Sequence, residues 1–415
     1  MRQVSANVSY RFFLQAYLLI FSTEFMFALI NPSYVQLFFD AKSPFSSSFA
    51  NQYNASIIYG IFLLGGQIAG LVANIVWGVI SDHVGRKPIA TISTVALIIT
   101  AITAILAEHW QLITLFVAGA ILGHALYGMF PVVIASVSSA AYQSQRKLIW
   151  IGLLQFFTGL AFVIGPTVGS LLMINYANYM APYYVVVLLA IVMFFIVAIG
   201  YYPEHYYQQQ RVTHQKNVLC DLLHLLKQKK VGVLVWLLLL DQLAWGMYFQ
   251  FIQPLAKLSL GFSISDIGYL VSFIGLSLMV SALVLLPILQ RFLNHNMLFI
   301  IAVIAMLIGS FGAMLITFYP QLSKFWIYAV SFMVAFGDMV VFSLLVVGFS
   351  NAVPSAYQGF ISGVLYTLAK GFGWGVSGFL GGYFISLHMF WSMGFATIML
   401  LILLISFCSF RNIRI

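Results

Sequence analysis

Four ionisable residues stand where charge is costly: Glu24, Asp241, Asp338 and Lys370 each fall inside an apolar run long enough to cross a lipid bilayer. Counting about 1.5 Å per residue from the nearest predicted helix start places each roughly 15–18 Å deep, close to the middle of the hydrocarbon. An unpaired charge at that depth is disfavoured by at least about 3 kcal/mol, so each group must face an internal cavity, pair, or become neutral. A carboxyl that is neutral when protonated and holds a cation when ionised can link proton movement to that of a solute.

The surroundings of Glu24, "FSTEFMFALINP", offer no cationic partner, and Asn31 and Pro32 follow about two turns later, fit for a polar contact and a helix break. Lys370 is either half of a fixed ion pair with Asp338 or part of the solute chemistry; the sequence leaves both open. Phe25, Phe27, Tyr127, Phe130, Trp245, Tyr248, Phe249, Phe336 and Phe342 lie on the same runs, and aromatics with a few acids suit an amphiphilic or cationic organic molecule. No nucleotide-binding Walker sequence, nucleophile elbow or metal-spaced His/Cys cluster occurs, so the sequence points to no enzyme, no cofactor and no metal.

The elements that must position these residues are membrane helices. With 62% hydrophobic residues, 7% charged and a mean hydropathy of +1.03, the 415-residue chain lacks the polar surface of a water-soluble globule. Apolar runs predict helices at 12–33, 55–80, 88–107, 111–136, 149–173, 182–202, 231–255, 265–290, 297–318, 326–350, 359–385 and 391–410. They do not alternate in polarity as barrel strands would. The expected fold is all-α and membrane-spanning, with an N-terminal six-helix bundle over 1–202, a linker over 203–230 and a C-terminal six-helix bundle over 231–415. In the linker Leu219, Leu222, Leu223 and Leu226 have the spacing of an interfacial helix, though a solvated tether fits equally well.

Most Lys and Arg fall on one side of these spans and only Lys42, Lys257 and Lys324 on the other, which puts both termini in the cytoplasm. The net charge of +9 is thereby a topology signal, and no nucleic-acid partner is expected. The first span is long, contains Glu24 and lacks a small-residue cleavage site, so it reads as a retained helix. Cys220 and Cys408 lie far apart in sequence and suggest no disulfide framework. Tyr201, Tyr202, Tyr206 and Tyr207 fit an interfacial aromatic belt.

Three stretches carry a more specific pattern. "GVISDHVGRKPIA" gives Gly78-x-x-x-Asp82-x-x-Gly85-Arg86-Lys87 in the turn after the second span, where Gly78 would allow close helix packing and Gly85 a tight turn. The fifth span holds Gly152, Ala161, Gly165, Pro166, Gly169 and Ser170, and the fourth reads Gly123-His124-Ala125-Leu126-Tyr127-Gly128. A weak repeat sets Gly152 against Gly363 in the eleventh span.

The first stretch resembles the signature loop of the major facilitator superfamily, the fifth-span stretch is similar to the glycine-proline motif of its exporters and antiporters, and the fourth-span stretch is similar to a third motif of the family. His124 stands where an arginine is usual. Unlike arginine it can titrate, so it is either a proton-linked group or a neutral hydrogen-bonding side chain. The resemblance implies two pseudo-symmetric six-helix bundles, a loop that latches the cytoplasmic side, and a cavity lined by helices 1, 4, 7 and 10, with Glu24 and Asp241 facing each other and Asp338 nearby. It implies transport of a small-molecule solute with protons, as a monomer in the inner (plasma) membrane, most simply as an exporter by antiport. An importer working by symport is the alternative, and a sensor that keeps the fold without transporting is a third reading.

Overall fold

In lipid a backbone N–H or C=O has no water to bond, so an apolar chain must satisfy each group within its own helix. The computed structural model follows that rule throughout; it describes residues 10–140, 147–201, 228–319, 321, 324–352 and 358–410, and these contain no strand. The first half comprises α1 (Tyr10–Phe39), α2 (Gln52–Val84), α3 (Arg86–Trp110), α4 (Ile113–Leu126), α5 (Met129–Ala140), α6 (Lys147–Asn175) and α7 (Ala181–Gly200). The second comprises α8 (Lys229–Leu260), α9 (Ile264–Val280), α10 (His295–Ile316), α11 (Lys324–Ala352), α12 (Gln358–Leu387) and α13 (Phe390–Ser409). Since α4 and α5 together make one span, the architecture has twelve spans in two bundles. Eleven are long and apolar enough to cross a membrane when only described residues are considered, and α12 is the twelfth.

Helix ends are set by local chemistry. Asn51 caps α2 by accepting from the Asn54 amide, Asn294 caps α10 through Met297, and Ser263 with Asp266 forms a reciprocal capping box on α9. Gly85, at φ 97°, separates α2 from α3 in the tight turn expected of it, and Gly261, at φ 64°, ends α8. The eighth span widens into a π turn over Ser281–Leu285 just before Pro287, which has no N–H to continue the ladder.

Successive spans run in opposite directions. The end that holds the start of α1 and the α2–α3 junction, where residues 81–87 turn at Gly85 and are called the 81–87 loop, is the basic end, and the opposite end is the far end. The halves meet along α2 with α12 and α6 with α9, and α1 touches α8. At the first seam Gly60 and Gly382 bring two backbones together: a Cβ on Gly382 would lie 2.6 Å from the Gly60 Cα.

Two expectations are corrected. The fourth span is interrupted at Tyr127 and Gly128, because side chains of α2 and α3 take over backbone bonds there. Tyr201 is 1% exposed and stacks on Phe12 with ring centroids 6.2 Å apart, so core packing and not the interfacial belt claims it. Tyr202, Tyr206, Tyr207, Cys220 and the leucines of the linker lie outside the described residues.

Candidate functional site

Glu24 lies about 21 Å along α1 from Tyr10, in a helix about 45 Å long, so it sits at mid-depth. It is half-buried, and its charge acts on the hydroxyl of Tyr127 in the interrupted fourth span. That hydroxyl is buried, with Thr23 of α1 beside it. The Tyr127 ring meets Phe27 edge-on at 5.0 Å, and His124 meets the same Phe27 at 5.8 Å. His124 Nδ1 is 2.8 Å from the carbonyl of Ala120; a carbonyl only accepts, so Nδ1 carries a proton, and Nε2 is an acceptor whenever the ring is neutral. Its ring lies on the glycine face of α2, where a Cβ on Gly66 would come within 3.6 Å. Glu24, Tyr127 and His124 thus form one cluster.

The second-half acid is placed differently. Asp241 on α8 is 0% exposed, and its Oδ2 accepts from Gln242 Nε2 at 2.9 Å. Gln242 Oε1 accepts from the Trp374 indole at 3.1 Å, and because an indole only donates, this bond fixes which end of the amide faces Asp241. Asp241 Oδ1 has no hydrogen-bond partner among the described residues. Glu24 therefore retains some exposure in this conformation while Asp241 has none. Trp245 stacks on Phe249 at 5.4 Å, and Phe249 lies 5.7 Å from Trp374. Asp338 is buried on α11; Lys370 belongs to α12, with its side chain outside the described part.

At the far end the halves are tied by polar bonds. Lys257 on α8 meets Asp40, just beyond α1, at 2.5 Å, and Gln36 at 2.8 Å. Their side chains are only 18% and 17% exposed. Asn31 accepts from Gln253 at 2.9 Å, Tyr59 donates to the Gln250 carbonyl at 3.3 Å, and Thr167 meets Ser272 at 2.8 Å. Burial pushes the Asp40 carboxyl up, but hydrogen bonds from Lys257, the Lys42 amide and Tyr179, with the Lys257 charge, hold it below the usual carboxylate value. Tyr179 is pushed up to about 12, by burial first and then by the neighbouring Asp40.

The basic end differs. A Cβ on Gly78 would meet no described residue within 4 Å, and the α12 side chains over 358–370 lie outside the described part. Arg86 is 5% exposed, hence more than a solvated topology charge, and Lys87 is half-buried. The Asp82 side chain lies outside the described part. In α6, Gly165 and Gly169 pack inside the first half on Ala28 and Leu29 of α1. Pro166 and Ser170 face Gly268 of α9 across the seam, so that motif serves both contacts. The surroundings of Gly152 lie outside the described part.

The sequence reading missed the far-end ties. Lys257 reads in the sequence only as a charge on the side opposite most Lys and Arg, and Asn31 as fit for a polar contact with no partner named. The available signal was spacing: Gln250, Gln253 and Lys257 share one face at i, i+3 and i+7, and Gln36 and Asp40 are four apart.

The profile described as Major Facilitator Superfamily matches residues 16–378. No curated protein matches the sequence. Among solved structures, the chain is similar to a D-xylose-proton symporter, with a TM-score of 0.73, 13% identity, and coverage of 94% of this chain and 97% of that one. It is similar to the nucleoside transporter NupG, with a TM-score of 0.75, 15% identity, and coverage of 96% and 99%. It is also similar to a POT family transporter in complex with 5-aminolevulinic acid, with a TM-score of 0.73, 12% identity, and coverage of 97% and 96%. At these identities the likeness is one of fold.

Proposed function

Because the chain belongs to the Major Facilitator Superfamily, we propose that it is a proton-coupled secondary transporter that exports a small amphiphilic or cationic organic solute in exchange for protons. The observation that carries this reading is Glu24, a carboxyl at mid-depth, still partly exposed and near Tyr127, which shares the ring of Phe27 with His124. Protonation there removes the charge that would hold a cation, so proton and solute compete for one site. Asp241, fully enclosed, is the second carboxyl of the cycle and gains access only when the halves change their tilt. Phe25, Phe27, Trp245 and Phe249 supply the apolar and cation-binding surface.

In this reading the basic end faces the cytoplasm, both termini are cytoplasmic, and the protein sits in the inner (plasma) membrane as a monomer. The six-span bundles over 1–202 and 231–415 rock about the solute, joined by 203–230. The conformation seen is the one with its far, external end closed.

The test uses the purified protein in liposomes with tetraphenylphosphonium and a set of neutral amphiphiles as probes. An acid lumen should drive accumulation of at least one probe, because protons leaving through an antiporter carry solute inward. Accumulation driven by an acid exterior would make the protein a symporter. No gradient-driven flux of any probe would count against this reading.

A further inference from the structure

The interruption of the fourth span is built by two side chains from elsewhere. Tyr127 takes extended backbone angles, φ −86° and ψ 116°, and ends α4. The Trp77 indole donates to the Ala125 carbonyl at 2.9 Å, and the Gly128 amide donates to Ser93 Oγ at 2.9 Å. The break thus leaves these two backbone groups satisfied by side chains, as a broken helix in lipid requires. Gly128 is held closely, since a Cβ there would lie 2.6 Å from Trp77 Cβ and 3.1 Å from Ile89 Cγ2.

The sources of the clamp matter. Trp77 immediately precedes Gly78 on α2, and Ile89 and Ser93 lie in the first turns of α3, so the residues gripping the break flank the 81–87 loop on both sides. Beyond the break, α5 packs on α2 and α3. Before it stands His124 and at its centre Tyr127, which share the ring of Phe27, three residues after Glu24 on α1, and Tyr127 also feels the Glu24 charge. Motion of the loop would reach this cluster through Trp77 and Ser93, with Tyr127 and Gly128 as the pivot.

We propose that Trp77 and Ser93 are positioning residues that couple the 81–87 loop to the Glu24, Tyr127 and His124 cluster by holding the break in the fourth span. That the cluster handles protons rests on the function proposed above; the mechanical coupling does not.

The test reads conformation without any solute. Spin labels replace the exposed Arg11 and Arg291, at the basic end of each half, in a full-length chain carrying Cys220→Ser and Cys408→Ser. The ratio of long to short distances gives the balance between conformations. Trp77→Phe keeps an aromatic ring but removes the donor, and should shift this ratio roughly 2–10-fold, the worth of one such hydrogen bond. Ser93→Ala should shift it in the same direction, and carries the test alone if Trp77→Phe does not fold. Val76→Ala, at a neighbouring position 43% exposed, should leave it unchanged. An unaltered ratio in the folded clamp variants, or an equal shift from Val76→Ala, would overturn the coupling. A shift in the clamp variants with no gradient-driven flux in the wild type would keep the coupling and count against the proton reading alone.

Discussion

At the far end the two halves meet through polar side chains and bare backbone, Asp40 on Lys257, Asn31 on Gln253 and Gly60 on Gly382. At the basic end Gly78, the first glycine of the signature loop, has no described residue within 4 Å of where a Cβ would stand. The contrast shows what each end needs. The far-end contacts are short-range and directional, and a rocking motion of a few ångströms would break them together. The basic-end turn instead makes its contacts within its own half, through the Trp77 and Ser93 bonds to the fourth span. One end is therefore a seal between halves and the other, on the coupling proposed above, a lever within one half.

The largest effect should come from removing close backbone contact at the seal. In Gly382→Leu the new side chain would start 2.6 Å from the Gly60 Cα and the Ser56 carbonyl, and backbone atoms cannot step aside as a flexible side chain can. Far-end closure should be lost and gradient-driven flux should fall by about 100-fold, on the scale of a core overpacking cost of 1–3 kcal/mol. Distances between spin labels on the far-end loops would lengthen. A variant that still closes and transports would show that the seal does not depend on this contact.

A smaller change is expected from Lys257→Ala, which leaves Asp40 without its cation and removes the bond to Gln36. The pair is partly screened, so about 1–2 kcal/mol, or 5–30-fold in the ratio of closed to open far ends, is the expected shift. The same labels measure it. A ratio unchanged from wild type would make the ion pair incidental.

The smallest effect should be that of pH on the seal itself. Asp40 is held below its ordinary value, so its contribution is present above the unfolded carboxylate value of about 3.9 and lost only as pH falls through the lower folded value. Far-end label distances should stay constant from about pH 8 to 5. An opening centred between those limits would place proton sensing in the seal and blunt the contrast between the ends.

How far the sequence disclosed these regions follows from the same chemistry. The spans were legible because a bilayer allows an apolar chain few alternatives to helix, and the mid-depth acids because charge in hydrocarbon is costly. The positive φ at Gly85 followed from its turn. The break at Tyr127 was not legible, because it depends on Trp77 and Ser93, which lie 50 and 34 residues earlier and look like ordinary helix residues. Nor was the seal, because the partners of Lys257 come from the other half of the chain. Tyr201 was misplaced because tyrosine suits both an interface and a core, and only its stacking on Phe12 decides.

The central claim is that Glu24 links the two flows, and Glu24→Gln tests it most directly, since the amide keeps the shape and cannot exchange a proton. Flux driven by a pH gradient and solute counterflow without one would be compared in the same liposomes, with the melting temperature as the check on folding. The expected result is loss of gradient-driven accumulation with counterflow retained. Gradient-driven accumulation equal to the wild type would contradict the assignment.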